Sequence, residues 1–162
     1  MNRIEYNSAV RNHSNPLYGY AYKFLRNRDD ANDIVQDVLE KLWIHRKKVE
    51  TPKAKSWMFT TAHNAIINLI NKNQRLQFPG NENLPESGKM EMSWFESNQV
   101  VDRALAILPP VQKSIVLLRD LEGYTYDEIG EILHLSPSQV KVYLFRARTK
   151  IKKQLKGLME LV

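Results

Sequence analysis

Apolar residues recur at intervals of three and four along most of the chain, and no stretch shows the period of two that marks a strand. This periodicity predicts an all-α protein. It is interrupted between residues 77 and 98, where two prolines, two glycines, three asparagines and four glutamates occur without a sustained apolar stripe. We therefore expect two small helical domains, residues 1–76 and 99–162, joined by a flexible acidic linker.

The first segment predicts three helices. One runs from Leu17 to Arg28, directly after Pro16, and the next is capped by Asp29 or Asp30. A polar, basic loop over 45–55 leads to a third helix over roughly 53–75. The stripes that we expect to face inward are Leu17, Tyr20, Ala21, Phe24 and Leu25, then Ala31, Ile34, Val35, Val38, Leu39, Leu42 and Trp43, then Met58, Ala62, Ala65, Ile66, Leu69 and Ile70.

The polar sides of the second and third helices differ in chemistry. The second carries an acidic edge, which on a basic protein is either solvated surface or a protein-docking face. The third carries amides that can pair with base edges and an indole that can stack on an unpaired base, which fits single-stranded or opened DNA. A core tryptophan and ordinary exposed asparagines are the alternatives. The residues are Asp33, Gln36, Asp37, Glu40 and Lys41 on the second helix, and Trp57, Thr60, Thr61, Asn64, Asn68, Asn71 and Arg75 on the third.

The last segment predicts four helices around one small core. The first two have inward stripes, and the second of them runs from Pro110 to about Leu121 and ends at Gly123. Two capping boxes begin the other two helices and define a helix-turn-helix over 125–156. The stripes are Val100, Val101, Ala104, Leu105 and Leu108, then Val111, Ile115, Leu118 and Leu121; the capping boxes are Thr125 with Glu128 and Ser136 with Gln139.

The final helix has the form of a DNA recognition helix. From Ser136 to Lys156 it contains seven Lys and Arg residues and no Asp or Glu. One apolar stripe and an exposed cationic side, presented by a capped helix and a turn, are typical of that role. A solvated basic helix is the alternative. The stripe is Val140, Leu144, Ala147, Ile151 and Leu155, and the opposite side is Ser138, Val142, Phe145, Arg146, Thr149, Lys152, Lys153 and Lys156.

Charge and composition exclude several classes of function. The 162 residues carry a formal net charge of +6, which favours a polyanionic partner. One basic segment precedes the acidic segment of the chain and a second basic segment follows it. The absence of cysteine excludes disulfides and thiolate metal sites. The four histidines share no metal-ligand spacing, and no phosphate loop or nucleophile motif occurs. With no secretory signal and no membrane-spanning run, we expect a cytoplasmic, non-enzymatic protein without cofactors.

Three stretches together resemble the extracytoplasmic-function sigma factors, the compact branch of the sigma-70 family. They are DANDIVQDVLEKLW (30–43), KSWMFTTAHNAIINLINKNQR (55–75) and LPPVQKSIVLLRDLEGYTYDEIGEILHLSPSQVKVYLFRARTKIKKQL (108–155). The resemblance implies an alternative sigma factor that binds core RNA polymerase and directs it to promoters, with residues 1–76 as region 2 and 99–162 as region 4. An anti-sigma partner is implied as well.

The resemblance also implies a role for each surface. The acidic edge would dock on the coiled coil of the polymerase beta-prime subunit, the basic loop and third helix would take the opened −10 element, and the recognition helix would read the −35 duplex. The linker would extend toward the RNA exit path. The implied residues are Asp33, Gln36, Asp37 and Glu40 for polymerase, Lys48, Lys53, Lys55, Trp57, Asn64, Asn68 and Arg75 for −10, and Ser138, Gln139, Lys141, Val142, Phe145, Arg146 and Arg148 for −35.

Two other functions remain open at this point. A helix-turn-helix regulator that acts without polymerase would use only the C-terminal segment, but it would not need the acidic edge or the Trp and Asn side of the third helix. A protein-interaction module would carry its basic helices as solvated surface. The sequence departs from the usual family pattern at Val142 and Tyr143, and it predicts neither the promoter sequence nor a base-capturing residue in the loop.

Overall fold

The computed structural model of the protein describes residues 1–77 and 96–160, and these ranges contain helices and no strand. The all-α prediction is confirmed, while residues 78–95 of the predicted linker lie outside the described residues. A 3-10 turn at Thr51–Lys53 precedes the third helix, and a π-helical turn at Leu117–Leu121 extends the fifth. The helices are α1 (Arg3–Leu25), α2 (Arg28–His45), α3 (Ala54–Gln77), α4 (Glu96–Ala106), α5 (Pro110–Val116), α6 (Tyr126–Leu133) and α7 (Pro137–Glu160).

Helix α1 begins well before the predicted start at Leu17. A capping box begins it, in which the backbone N–H of Glu5 donates to Asn2 Oδ1 at 2.8 Å and the N–H of Asn2 donates to Glu5 Oε1 at 2.8 Å. Pro16 therefore lies inside the helix, where a proline costs about 3 kcal/mol. Burial of Ala9 and tertiary contacts of Tyr6 in the first turns offset this cost.

The cap of α2 is Asn27, and the prediction of Asp29 or Asp30 is wrong by two or three positions. Asn27 Oδ1 accepts the backbone N–H of Asp30 at 2.8 Å. The two aspartates occupy the first turn, where their charge favours the positive end of the helix dipole.

Four predicted inward positions face solvent instead. Trp43 is 39% exposed because it lies at the margin of the α2 stripe, where the Arg46 guanidinium stacks over its ring at 3.8 Å. Leu121 is exposed because the π-helical turn places an extra residue in the turn and rotates the following positions, so that Leu117 and Leu118 fill the core. Val101 and Val111 lie at groove edges on α4 and α5.

The two groups of helices pack directly against each other. Helices α1, α2 and α3 form one bundle, while α4, α5 and α7 pack together with α6 beside α7. Helix α6 also packs on α3, and the π-helical turn packs on α1. The buried residues of both groups therefore form one continuous apolar cluster.

Candidate nucleic-acid and polymerase interfaces

Both predicted capping boxes of the helix-turn-helix are confirmed. The N–H of Thr125 donates to Glu128 Oε1 at 2.9 Å, and the N–H of Ser136 donates to Gln139 Oε1 at 2.9 Å. In return the N–H groups of Glu128 and Gln139 donate to the capping hydroxyls at 3.1 Å. The oxygen of Gln139 is therefore committed to the cap, and its amide NH₂ is the part that can contact another molecule.

The turn before the recognition helix depends on Gly130. The N–H of Leu135 donates to the carbonyl oxygen of Gly130 at 2.9 Å, and His134 adopts a left-handed conformation with φ 60°. A Cβ at position 130 would meet the backbone carbonyl of Leu135 closer than real Cβ atoms approach. This close contact brings the start of α7 against α6 and determines how the helix is presented.

All of the predicted −35 residues lie on the exposed side of α7. Val140, Leu144 and Ala147 are buried and hold the helix in place. Phe145 is 72% exposed although it is a large aromatic, and a cleft of about 340 Å³ lies beside it. Arg148 forms an ion pair with Asp120 at 2.5 Å, so its guanidinium is partly engaged within the protein. The exposed residues are Ser138, Gln139, Lys141, Val142, Phe145, Arg146 and Arg148.

The acidic face of α2 consists of Asp33, Gln36, Asp37 and Glu40. It lines one cleft together with Tyr6, Leu39 and Trp43. Asp37 pairs with Lys41 at 3.0 Å, while the other three side chains are exposed. The face therefore combines negative charge with an aromatic edge, which is a chemistry suited to a protein partner rather than to DNA.

Three predicted −10 residues surround one cavity at the basic loop. The cavity has a volume of about 360 Å³ and is lined by His45, Lys48, Val49, Glu50, Lys53 and Trp57. Trp57 is half-buried, packs against the core and lies 6.1 Å from the His45 ring, so it is both a core contact and a cavity wall. Val49 is buried and anchors the loop.

The remaining −10 candidates lie elsewhere on α3. Asn64 and Asn68 are exposed and line a second groove together with His63, Ile67 and the Pro109-Pro110-Val111 start of α5. Arg75 is exposed near the C-terminal end of α3. The structure thus brings Lys48, Lys53 and Trp57 together but distributes the other residues along about 30 Å of helix.

Two of the lysines that are predicted to bind the −10 element form ion pairs with glutamates of the helix-turn-helix. Lys53 Nζ lies 2.5 Å from Glu131 Oε2, and Lys55 Nζ lies 2.5 Å from Glu128 Oε2. The hydrogen bond from Lys55 lowers the pKa of Glu128, the bond from Lys53 lowers the pKa of Glu131, and Glu131 raises the pKa of Lys53. These shifts keep Glu128, Glu131 and Lys53 charged at neutral pH.

A buried polar cluster also joins the two groups of helices. Ser114 Oγ is fully buried and lies 2.7 Å from His63 Nδ1 and 2.8 Å from the Tyr20 hydroxyl. Burial lowers the pKa of His63 to about 4 and raises that of Tyr20, so both groups are neutral near pH 7. Further contacts include Thr60 Oγ1 donating to the carbonyl of Ile132 at 2.7 Å and Lys113 Nζ donating to the carbonyl of Phe24 at 2.8 Å.

Sequence reasoning did not identify these interdomain residues. The residues around Ser114 and His63 show no sequence pattern that distinguishes the two from surface residues. The spacing of His63 from the other histidines excluded a metal site but predicted no other role. Within residues 1–77 and 96–160, no group of histidines and acids is arranged to hold a metal ion. Across the same ranges, no helix is both long and apolar enough to cross a membrane.

Comparison with known proteins assigns both halves of the chain. The profile of Sigma-70 region 2 matches residues 9–76, and the profile of Sigma-70 region 4 matches residues 98–151. The RNA polymerase sigma factor SigV of Bacillus subtilis is 28% identical over 149 residues, which cover 91% of this chain and 89% of that protein. Because region 2 is matched as well as region 4, a regulator that uses only a helix-turn-helix is not supported.

Two solved structures share the fold. The sigma factor RpoE in complex with the anti-sigma factor NepR from Bartonella quintana has a TM-score of 0.73 at 21% identity, covering 93% of this chain and 96% of that one. CnrH in complex with the cytosolic domain of CnrY has a TM-score of 0.74 at 20% identity, covering 96% and 90%. The chain belongs to the extracytoplasmic-function branch of the sigma-70 family and is an RNA polymerase sigma factor that directs promoter recognition.

Proposed function

We propose that promoter recognition is divided between residues 1–76, which bind core polymerase and the −10 element, and residues 99–162, which read the −35 element. Residues 77–98 connect them. The observation that carries this division is the presence of two chemically different surfaces on one chain. One is the basic side of α7, which has no Asp or Glu from Ser136 to Lys156, and the other is a helix that bears tryptophan and asparagine beside a basic cavity. This activity places the protein in the cytoplasm as a non-enzymatic initiation factor.

The recognition helix α7 reads the −35 duplex through its exposed side. Arg146 extends from the exposed surface and is the residue best suited to bidentate contact with a guanine edge. Val142 and Phe145 present apolar surface that fits thymine methyl groups. Ser138, Gln139, Lys141 and Arg148 supply hydrogen-bond donors that position the helix on phosphate oxygens.

The loop cavity receives an unstacked base of the −10 element. Trp57 and His45 offer aromatic faces for stacking, while Lys48 and Lys53 stand at the rim where a phosphate would pass. Glu50, also in the lining, is an acceptor that can pair with an exocyclic amino group of a captured base. Asn64 and Asn68 contact neighbouring bases along α3, and Arg75 contacts the backbone.

The acidic face of α2 binds the polymerase, through the coiled coil of its beta-prime subunit. Its exposed carboxylates complement a basic partner, and the Trp43 and Tyr6 edge in the same cleft supplies apolar contact area. We also propose an anti-sigma partner, because the structural relative RpoE described above was solved in complex with the anti-sigma factor NepR.

Transcription by the reconstituted holoenzyme tests this proposal. Core polymerase plus the chain is incubated with a library of genomic fragments, and the 5′ ends of the transcripts are sequenced. We expect start sites that share one motif about 10 and another about 35 base pairs upstream. Asp37→Arg should abolish co-elution with core polymerase, whereas Asp29→Arg, on the same helix but outside the acidic face, should retain it. Transcripts without a shared motif, or equal co-elution of the two variants, contradict the assignment.

A further inference from the structure

The first turn of α1 lies against the loop that forms the cavity proposed to capture a base. The Met1 nitrogen donates to the carbonyl oxygen of Arg46 at 2.6 Å and to that of Val49 at 3.4 Å. Carbonyl groups at the end of a helix have no partner within the helix, and Arg46 is the C-terminal cap of α2. Met1 therefore joins the start of α1 to the end of α2 and to the loop that follows it.

A second contact lies on the other side of the loop's acidic residue. The Asn2 N–H and, as the next contribution, the Thr51 hydroxyl donate to the Glu5 carboxylate, and these bonds hold the pKa of Glu5 below its ordinary value. Val49 and Thr51 are the two neighbours of Glu50 in the chain. The first turn of α1 thus contacts the loop on both sides of Glu50.

The first turn of α1 is itself held in place. The capping box of Asn2 and Glu5 closes it with two hydrogen bonds of 2.8 Å. One turn further, the Tyr6 hydroxyl donates to the carbonyl of Leu39 at 2.8 Å, and the Tyr6 ring meets the Trp43 ring edge-on with centroids 5.0 Å apart. Because these contacts attach α1 to α2, the turn presents its polar groups to the loop from a fixed position.

Glu50 lines the cavity although its side chain is exposed. An exposed loop carboxylate ordinarily samples several positions, and contacts on both of its neighbours restrict that freedom. A carboxylate accepts a hydrogen bond from the N4 amino group of cytosine, whereas thymine and uracil carry a carbonyl oxygen at the same ring position. The direction of Glu50 therefore bears on which base the cavity accepts.

We propose that Met1, Asn2 and Glu5 are positioning residues of the −10 surface, which hold residues 49–51 so that Glu50 faces the captured base and favours an amino group over a carbonyl oxygen. The inference rests on the proposed capture of an unstacked base in the loop cavity. The first turn of α1 touches the loop rather than the base and acts through Glu50. A loop released from α1 keeps its charges and its lining residues but loses the fixed direction of this carboxylate.

Two pairs of variants release the loop and restore its contacts. Asn2→Ala removes the side chain that caps α1, whereas Asn2→Asp retains an acceptor for the Glu5 N–H. Thr51→Val removes the hydroxyl at nearly constant shape, whereas Thr51→Ser retains the hydroxyl. Asn27→Ala is the matched control, because it removes the same side chain from the cap of α2, about 27 Å along the helix from the end that meets the loop.

Hydrogen exchange of the loop amides tests positioning without DNA. The Lys48 N–H donates to the His45 carbonyl at 2.9 Å, and the Lys53 N–H donates to the Glu50 carbonyl at 2.8 Å. In the full chain, exchange at these two amides should accelerate about threefold or more in Asn2→Ala and Thr51→Val, as measured by NMR. It should stay at the wild-type rate in the aspartate, serine and Asn27→Ala variants. Unchanged exchange in both Asn2→Ala and Thr51→Val would overturn the proposal, because α1 would then not hold the loop.

Base selection by the holoenzyme tests the functional consequence. Core polymerase carrying each variant is titrated with fluorescein-labelled non-template strands that span the −10 motif found by start-site sequencing. Each motif position carries deoxycytidine or deoxyuridine in turn, since this pair exchanges the amino group for a carbonyl oxygen without adding the thymine methyl group. Glu50→Ala identifies the captured position as the one at which the affinity ratio of cytosine to uracil falls, by about tenfold.

The variants that release the loop should act at that position alone. Asn2→Ala and Thr51→Val should lower the cytosine-to-uracil ratio there about threefold or more, because a smaller fraction of loops has Glu50 in place. Asn2→Asp, Thr51→Ser and Asn27→Ala should retain the wild-type ratio. An equal loss of affinity at every motif position in the two releasing variants would overturn the inference, and so would an equal fall of the ratio in Asn27→Ala.

The measurements separate failure of the inference from failure of the proposed function. A ratio that falls in Glu50→Ala but not in Asn2→Ala or Thr51→Val overturns the role of α1 and leaves base capture in place. A ratio that Glu50→Ala changes at no position contradicts base reading by the loop cavity itself, and the inference fails with it. The start-site motifs and the core co-elution described above do not depend on either result.

Discussion

The Nδ1 atom of His63 lies 2.7 Å from the Oγ atom of Ser114, although the two residues are 51 positions apart and belong to different helical groups. The Tyr20 hydroxyl lies 2.8 Å from the same Oγ. With His63 neutral, Ser114 donates to the imidazole nitrogen and accepts from Tyr20, so each group has a partner. This chain of hydrogen bonds joins α1, α3 and α5 without any net charge.

Ser114→Ala should destabilise the protein. It removes the bridging hydroxyl and leaves the buried Tyr20 hydroxyl and His63 Nδ1 with a weaker contact of 3.2 Å. We expect a loss of about 1–3 kcal/mol in the free energy of unfolding, measured by urea denaturation. Ser138→Ala, at an exposed position, should change it by less than about 0.5 kcal/mol. Equal urea midpoints for the two variants would show that the cluster contributes no stability.

Stability should fall as the pH is lowered from about 6.5 toward 4. Burial lowers the pKa of His63 to about 4, below the ordinary value near 6.5, so the unfolded chain binds more protons than the folded chain in this window. The folded state is therefore favoured at pH 7 and loses stability on acidification. Urea midpoints at pH 7.5, 6.5 and 5.5 measure the trend.

Two variants assign this pH dependence. His63→Gln should flatten the profile between pH 7.5 and 5.5, whatever its effect on absolute stability. His13→Gln is the comparison, because burial lowers the pKa of this second histidine as well. A profile that stays equally steep in His63→Gln would exclude His63 as the main titrating group.

Gly130→Ala should damage the helix-turn-helix. The new Cβ would collide with the carbonyl of Leu135, a backbone atom that cannot rotate away, and we expect a loss of about 1–3 kcal/mol. Gly19→Ala is the matched control, since nothing lies within 4 Å of a Cβ there and a helical Gly→Ala change stabilises by about 0.5–1 kcal/mol. Thermal unfolding measures the change in melting temperature of each variant, which should be negative for Gly130→Ala and positive for Gly19→Ala. Two changes of the same sign would contradict the close approach of position 130 to the Leu135 carbonyl.

Arg146→Ala should weaken binding to a duplex that carries the −35 motif found by start-site sequencing. If Arg146 contacts a base, the loss is about 1–3 kcal/mol and the preference at one position is relaxed. Lys153→Ala, an exposed cation on the same helix, should weaken binding to all sequences similarly and reduce the salt slope. Fluorescence anisotropy with matched and mismatched duplexes measures both effects, and an unchanged preference in Arg146→Ala would remove it from base readout.

Local features of the sequence predicted local features of the structure. The two capping boxes at Thr125 and Ser136 were identified because their partners lie three residues apart, and the structure has both. The third capping box, at Asn2 and Glu5, has the same spacing, but Pro16 favours a helix that begins only at Leu17, so this box is not predicted. The register change after Leu117 was not predictable, since a π-helical turn depends on what the flanking residues pack against.

The sequence by itself determined the helical class, the division into two helical groups and the basic, amphipathic last helix, because each follows from composition, from periodicity or from contacts within one turn. Tertiary structure alone decided that Lys55 meets Glu128 and that Ser114 lies between Tyr20 and His63. Those partners are 73, 94 and 51 positions apart, and no short-range pattern links them. Their contact depends on how two separately formed helical groups dock, which is a property of complementary surfaces rather than of any one helix.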